Sequence, residues 1–333
     1  MRFRSLVVSM ACLLSVAGAI AQSCDVPVDI VGLEKGKDSG GIIRGLRTED
    51  VVASVGKGKH VPIESLTYDA TPRRVLFVLD TTRELPSDAR RAEAQTALFM
   101  LDHARPMDSF ALITARGSAR EVKFDQGRAA LKDALQDLSN DPKDKLSSLG
   151  VLDAVEQGIE WMGAPKPGDA IFLMAMDLEG NHKTNPRKVT QLLHEHHIRL
   201  FSIALGFVNL ANTVTAKQGM THLGLGLAEP LVGSGIAYDN GEQNLYPMVV
   251  NSGGFLSVQN ANDGRRDFKL PERLPRMEQI GMQFYQIIAE FYHMKISLPD
   301  AHTRDWSVEL SDSAKQRWTP IWSVYPQEVY GCK

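Results

Sequence analysis

The sequence predicts an α/β protein built on a doubly wound, mostly parallel sheet, with N- and C-terminal β segments flanking it. Val75 to Leu79 form an unbroken apolar run, which is typical of a strand buried on both faces. From this run to Ala204, short apolar strands alternate with helix-length amphipathic segments. Such alternation predicts parallel strands joined by crossover helices.

The composition and charge of the chain limit the kinds of molecule that it is expected to bind. The chain has 333 residues, of which 43% are hydrophobic and 23% charged, as in an ordinary globular protein with a large core. The formal net charge of −3 and the pI near 6.3 give no electrostatic footprint for nucleic acid or an anionic membrane. No segment after residue 21 is long and apolar enough to span a bilayer. We therefore expect neither a nucleic-acid partner nor a membrane span.

Residues 1–21 have the pattern of a signal peptide. Arg2 and Arg4 form a basic start, Leu6 to Ile20 form an apolar core, and Ala19-Ile-Ala21 is a small-residue cleavage signal. We therefore expect cleavage after Ala21 and export to the periplasm or the extracellular space.

Two cysteines, Cys24 and Cys332, remain at opposite ends of the mature chain. Exported proteins fold in an oxidising compartment, and the termini of a domain often lie close together. These considerations predict a Cys24–Cys332 disulfide. The alternatives are two unpaired thiols on frayed tails, or a lipid anchor at Ala21-Gln-Ser-Cys24, which fits lipoprotein signals poorly.

The remaining residues divide into three parts. Residues 22–72 are a β-rich segment with strands at Val26–Val31, Val51–Val55 and Val61–Leu66. Residues 73–262 are the α/β domain, with helices at Ser87–His103, Gln126–Leu138, Leu149–Met162, Pro186–His197 and Leu245–Val250, and strands at Phe110–Thr114, Ala170–Met176 and Arg199–Ala204. Residues 263–333 hold the end of a polar linker, Asn260–Pro275, a helix, Met277–Glu290, and a strand pair, Phe291–Leu298 and Trp306–Leu310. We expect the two terminal segments to share a small sheet.

Oxygen-bearing side chains follow the first strand of the α/β domain. Asp80, Thr82 and Glu84 alternate directly after the apolar run. Ligand sites of open α/β sheets lie beyond the carboxyl ends of the strands, and hard cations such as Mg²⁺ prefer oxygen ligands. The pattern predicts a candidate cation site at this edge of the sheet.

The motif Asp80-x-Thr82-x-Glu84 resembles the Asp-x-Ser-x-Ser motif at the metal-ion-dependent adhesion site of von Willebrand factor type A domains. The order of elements is similar to a bacterial "VWFA-related" branch over nearly the whole mature chain. The resemblance implies that Mg²⁺ or Mn²⁺ bound by these residues captures a carboxylate of a protein partner. It also implies two further ligands, a hydroxyl near Leu149, for which Ser148 is one residue away, and Asp177 after a central strand.

This site departs from the family pattern. Glu84 replaces a serine and Leu178 a glycine, so we describe the site as degenerate. Glu84 could itself ligate the ion, cap it from within, or crowd it out. The alternative for Asp80 and Asp177 is that they cap helices or bind backbone amides at the strand ends.

Other candidate motifs are weaker. His194 and His197 lie one helical turn apart and could bind zinc, but such residues are also typical of a solvated helix end. Gly224-Leu-Gly226 lacks the context of a dinucleotide fingerprint, and no nucleophile elbow or phosphate loop occurs. We therefore expect a protein-interaction or adhesion module rather than an enzyme. The alternatives are a divalent-metal-dependent hydrolase and a structural envelope protein with a vestigial face.

Overall fold

The computed structural model describes residues 24–34, 41–142, 146–175, 183–205, 245–258, 269–298, 302–303, 306–318, 320–326 and 328–330. The expected signal peptide, Asp177 and Cys332 lie outside these ranges. The Cys24–Cys332 disulfide therefore stays a prediction. Within the described ranges, no helix is long and apolar enough to cross a membrane.

Strands and helices occur in the order that the sequence indicates. The N-terminal segment contributes β1 (Cys24–Glu34), β2 (Gly41–Ile42), β3 (Val51–Val55), β4 (Lys59–Val61) and β5 (Ile63–Asp69). The α/β domain contributes β6 (Arg74–Asp80), α1 (Ser87–His103), β7 (Ser109–Ala115), β8 (Glu121–Val122), α2 (Gly127–Leu138), α3 (Val151–Met162), β9 (Ala170–Ala175), α4 (Pro186–Glu195), β10 (Arg199–Ala204), α5 (Leu245–Asn251) and β11 (Leu256–Val258). The C-terminal segment contributes α6 (Leu270–Ala289), β12 (Phe291–Leu298), β13 (His302–Thr303), β14 (Trp306–Leu310), α7 (Asp312–Arg317), β15 (Pro320–Val324) and β16 (Val329–Tyr330).

The central sheet has the strand order β11-β10-β9-β6-β7-β8. All neighbours are parallel except β8, which runs antiparallel to β7 at one edge. The chain therefore extends to one side of β6 through β7, and crosses back to extend on the other side through β9. This arrangement confirms the predicted α/β fold and places the loops after β6 and β7 side by side.

Strand β6 is buried on both faces, as the apolar run predicts. Its residues Val75 to Leu79 are all fully buried. Val75, Phe77 and Leu79 belong to the hydrophobic cluster formed with α1, α2 and α6. Leu76 and Val78 belong to the cluster formed with α3, α4 and α5. Two apolar layers, rather than one, therefore hold the strand that ends in Asp80.

The terminal segments share a sheet, which confirms that expectation. Strand β1 pairs antiparallel with β12, from Cys24 opposite Leu298 to Ile30 opposite Tyr292, and β12 pairs antiparallel with β5. The predicted pairing of β12 with β14 is wrong, because β14 pairs with β3 in a separate three-stranded sheet. Both strands nevertheless contribute side chains to one hydrophobic cluster.

The predicted polar linker up to Pro275 is also wrong at its end, because α6 already begins at Leu270. The backbone amide of Leu270 donates to Asp88 Oδ2 at 3.2 Å, so α1 caps the start of α6. Leu270 and Met277 are buried in the cluster that covers the central sheet. Proline and charge in this stretch favour a linker locally, and the tertiary packing against α1 outweighs them.

Candidate functional site

The candidate site is centred on Asp80, the last residue of β6. Its side chain is fully buried at the carboxyl edge of the central sheet. Both carboxylate oxygens accept hydrogen bonds from Arg116. Arg116 Nε donates to Oδ1 at 2.9 Å, and Arg116 Nη2 donates to Oδ2. Asp80 therefore has a bidentate guanidinium partner, which is the geometry of strong charge-assisted pairs.

Backbone geometry holds Arg116 over Asp80. Arg116 follows the last residue of β7 and has a φ of 57°, a left-handed conformation that non-glycine residues seldom adopt. Its amide donates to the carbonyl of Leu149 at 3.0 Å. At Gly117, a Cβ atom would lie 1.6 Å from the carbonyl oxygen of Thr81, so only glycine lets the two loops approach this closely. The loops after β6 and β7 therefore pack in direct backbone contact.

A second acidic side chain, Glu93 of α1, is buried next to Asp80. Neither of its carboxyl oxygens makes a hydrogen bond of good geometry within the described part of the chain, although the backbone amide of Asp80 is close enough to interact with the carboxyl group. Burial raises the pKa of Glu93 well above its ordinary value, and the Asp80 carboxylate raises it further. Arg116, Arg90 and the backbone amide of Asp80 counteract this shift without cancelling it. Burial therefore disfavours the charged form of Glu93 at the back of the site.

The other predicted ligands do not converge on Asp80 in this arrangement. Thr82 is buried, and its hydroxyl accepts the backbone amide of Glu84 at 3.4 Å in a local turn. Glu84 and Ser148 are exposed. The neighbouring Ser147 is the hydroxyl that turns inward, where it donates to the carbonyl of Thr114 at 3.0 Å. Asp177 lies outside the described residues.

These residues, as arranged, do not fit a divalent ion. A metal at Asp80 needs to approach a carboxylate oxygen, and the Arg116 guanidinium places a positive charge against both oxygens. Across the described ranges, no group of three His, Cys, Asp or Glu side chains could hold a metal. His194 and His197 are among the described residues, and they instead line a cavity of about 340 Å³ at the opposite end of the sheet's strands. The zinc hypothesis for this histidine pair therefore gains no support.

Sequence reasoning missed Arg116 and Glu93. Arg116 was detectable as a charged residue directly after the second strand of the α/β domain, where a parallel sheet delivers it beside Asp80. Glu93 was detectable as a carboxylate between Ala92 and Ala94, on a buried helix face that is rich in alanine. Both signals become meaningful only once the neighbouring strand and helix are known.

Four exposed residues lie on the loops around the pair of Asp80 and Arg116. This surface, here named the upper face, consists of Arg83, Glu84, Leu146 and Ser148. Leu146 forms an isolated antiparallel bridge with Ser118, which places it beside the loop after β7. The hydroxyl of Thr81 donates to the carbonyl of Ser118 at 3.3 Å, which joins this loop to the one carrying Arg83 and Glu84. The four exposed residues therefore lie on one connected set of loops.

No protein-family model and no curated protein sequence matches the chain. The solved structures that resemble it include proximal thread matrix protein 1 from the mussel byssus, with a TM-score of 0.43, 10% identity and coverage of 74% of this chain and 50% of that chain. This chain thus spans half the length of the mussel protein. Another structure of that protein is described as having a zinc-occupied MIDAS motif.

Two other similar structures are shorter. BatB from Bacteroides thetaiotaomicron has a TM-score of 0.36, 14% identity, and coverage of 61% of this chain and 98% of that chain. The SpRpn10 VWA domain has a TM-score of 0.32, 8% identity, and coverage of 42% of this chain and 78% of that chain. Similarity at this level carries no argument about family or role. The strand order described above shows the doubly wound, mostly parallel α/β fold that the sequence predicts.

Proposed function

We propose that the protein is an exported protein-interaction or adhesion module that binds a protein partner at the upper face. The observation that carries this proposal is the exposure of Leu146. Among the described residues, the large hydrophobic side chains that are exposed are Tyr68, Met107 and Leu146, and Leu146 is 47% exposed. It is the one that lies at the carboxyl edge, where open α/β sheets bind their ligands.

The surroundings of Leu146 have the character of a small interface. Protein interfaces combine an apolar centre with a polar rim. Here the exposed Arg83, Glu84 and Ser148 supply one cation, one anion and one hydroxyl on the loops that connect to Leu146. A partner with a small apolar pocket and polar groups around it would match this surface.

An enzymatic role fits the same edge less well. A general acid or base must lie within hydrogen-bond reach of its substrate, and a metal-dependent hydrolase needs an ion with an open position. Asp80 and Glu93 are both fully buried, and Arg116 binds both oxygens of Asp80. The hydrolase alternative would require these groups to become accessible. A structural envelope protein with a vestigial face remains the other alternative.

The metal-assisted form of the proposal uses Mg²⁺ or Mn²⁺ at Asp80 to capture a carboxylate of the partner. The metal-free form uses only the exposed side chains of the upper face. We favour the metal-free form, because the metal-assisted form requires Arg116 to leave the buried Asp80 carboxylate.

Site-specific photo-crosslinking tests the interaction. A photoreactive phenylalanine analogue would replace Leu146, and in a second variant Glu84, in cells that produce and export the protein. Met107, 51% exposed just before β7 at the opposite end of the sheet, provides the matched control position. We expect one adduct common to positions 146 and 84, absent at position 107, and retained with a chelator.

A companion substitution separates contact from chance proximity. Leu146→Asp should abolish the adduct formed from position 84, whereas Met107→Asp should leave it unchanged. An adduct that disappears with the chelator would favour the metal-assisted form. Equal labelling from positions 146 and 107, or none from the upper face, would favour the vestigial alternative.

A further inference from the structure

We propose that Arg116 is a resident cation, so that its guanidinium permanently takes the position of a divalent ion at Asp80 and the site does not respond to metal. This inference concerns the chemistry of the isolated protein and does not depend on the proposed partner. It would hold if the upper face bound nothing.

The contact geometry is the first argument. The planar guanidinium presents two parallel N–H groups that match the two carboxylate oxygens, and Arg116 uses this fork on Asp80. The side chain of Asp80 has no exposed area, while that of Arg116 keeps 15%. A metal ion approaching from solvent would therefore meet a cation before it met the carboxylate, and both oxygens of Asp80 would already accept a hydrogen bond from that cation.

The backbone is the second argument. Arg116 occupies a left-handed conformation that glycine would adopt more readily, and the next residue is the glycine required for the close approach to Thr81. A strained residue persists when the surrounding structure over-determines it, and such residues concentrate at functional sites. Here the side chain, in its pair with Asp80, is the feature that a glycine could not supply.

Removal of Arg116 would change the charge around the buried carboxyl groups. Two neighbouring buried carboxyl groups, those of Asp80 and Glu93, would then lack the guanidinium that pairs with Asp80. Carboxylate oxygens are the ligands that Mg²⁺ and Mn²⁺ prefer. Arg116→Gly removes the guanidinium and suits the backbone conformation, so it should convert a metal-insensitive edge into a cation-binding one.

The experiment compares Mn²⁺ binding, followed by electron paramagnetic resonance, with the melting temperature in chelator and in Mn²⁺. The proteins are the mature wild type, Arg116→Gly, and Arg116→Gly combined with Asp80→Asn. His197→Gly is the matched control, because His197 also has a positive φ, of 52°, but lies before β10 at the other edge. We expect the wild type and His197→Gly to show no saturable binding and no Mn²⁺-dependent change in melting temperature.

Arg116→Gly should melt lower than the wild type in chelator and recover part of the difference with Mn²⁺, or with added methylguanidinium. The Asp80→Asn combination should show neither recovery. Saturable Mn²⁺ binding by the wild type that Asp80→Asn abolishes would overturn the proposal, as would a folded Arg116→Gly protein without any Mn²⁺ response. If Arg116→Gly does not fold, the comparison of wild type with Asp80→Asn decides alone, with absence of binding in both as the supporting result.

Discussion

Arginines lie at both ends of the strands of the central sheet, but they have different partners there. At the amino edge, the guanidinium groups of Arg73 and Arg199 each lie 4.2 Å from the centroid of the Phe291 ring. They donate to the last carbonyls of α6, namely those of Ile287, Ile288 and Ala289. At the carboxyl edge, Arg116 donates to the Asp80 carboxylate, next to a second carboxyl group.

The amino edge therefore joins the C-terminal segment to the sheet, whereas the carboxyl edge carries the exposed upper face. At the amino edge, cations satisfy the carbonyl groups at a helix end and complement its macrodipole, which ties α6 and β12 to the sheet. At the carboxyl edge, Glu93 stays buried without a hydrogen bond of good geometry inside the described chain. Buried polar groups are nearly always satisfied, and exceptions concentrate where a protein has a task other than stability. The following substitutions test this contrast.

The largest effect is expected at the amino edge. Arg73→Met would leave the carboxylate of Asp69 and the carbonyl of Ala289 without their buried donor. We expect the free energy of unfolding, measured with urea, to fall by about 3–5 kcal/mol, as for other broken buried pairs. The control Arg44→Met removes a solvent-exposed pair with Glu290 and should cost less than about 1 kcal/mol. Similar losses for both variants would refute the structural role of this edge.

At the carboxyl edge, Gly117→Ala should be the most damaging small change. Its Cβ would overlap the carbonyl oxygen of Thr81 and push the two loops apart. We expect a loss of about 2–3 kcal/mol in the same urea assay, at the upper end for overpacking. Gly41→Ala is the matched control, since nothing lies within 4 Å of its added Cβ. A tolerated Gly117→Ala would mean that the loops do not pack in the contact described.

Glu93→Met should stabilise the protein, in contrast to Arg73→Met. The pKa of Glu93 is raised by burial, so the wild type loses stability as pH rises from the unfolded value of about 4.3 towards the folded one. The gain from Glu93→Met should therefore grow over this range and reach about 1–2 kcal/mol near neutral pH. The control Glu84→Met changes an exposed side chain and should alter the free energy of unfolding by less than about 0.5 kcal/mol. A destabilised Glu93→Met protein would indicate that the carboxyl group has a partner.

The smallest effect concerns His293, which bridges Asp29 and Asp69 on the terminal sheet at 2.7 and 3.0 Å. The hydrogen bond to Asp29 raises the pKa of His293 in spite of partial burial. Its contribution is therefore present below the unfolded value of about 6.5 and lost as pH rises through the folded value. We expect about 0.5–1 kcal/mol for this half-buried pair, read as the stability difference between mildly acid and mildly alkaline solution.

His293→Gln should flatten that part of the pH profile, and Asp29→Asn should reduce it. Asp69 responds in the opposite sense. Burial raises its pKa, but hydrogen bonds from Arg73 and Thr71 outweigh burial and lower it, so its contribution is lost only as pH falls through the folded value. A profile that stays steep in His293→Gln would assign the alkaline loss to another group.

Much of the fold follows from local pattern. The apolar run of β6 predicts burial on both faces because a strand between two helix layers has no solvent side. The helix Ser87–His103 has the predicted bounds, and strand–helix alternation predicts the parallel sheet. Predictions from local pattern fail where contacts between distant parts of the chain decide the structure. Strand β14 pairs with β3 instead of β12. Helix α6 begins before Pro275, where it packs against α1.

By itself, the sequence determined the α/β class, the apolar strand that ends in Asp80, and the edge of the sheet where that carboxylate lies, because these follow from periodicity along the chain. Only the tertiary structure decided what the carboxylate meets. Arg116 lies 36 residues away and Glu93 on the following helix, and a partner's identity depends on distance in space. A guanidinium and a metal ion both pair with a carboxylate at the end of a strand, so the sequence around Asp80 is compatible with either. The folded loops decide which cation lies there.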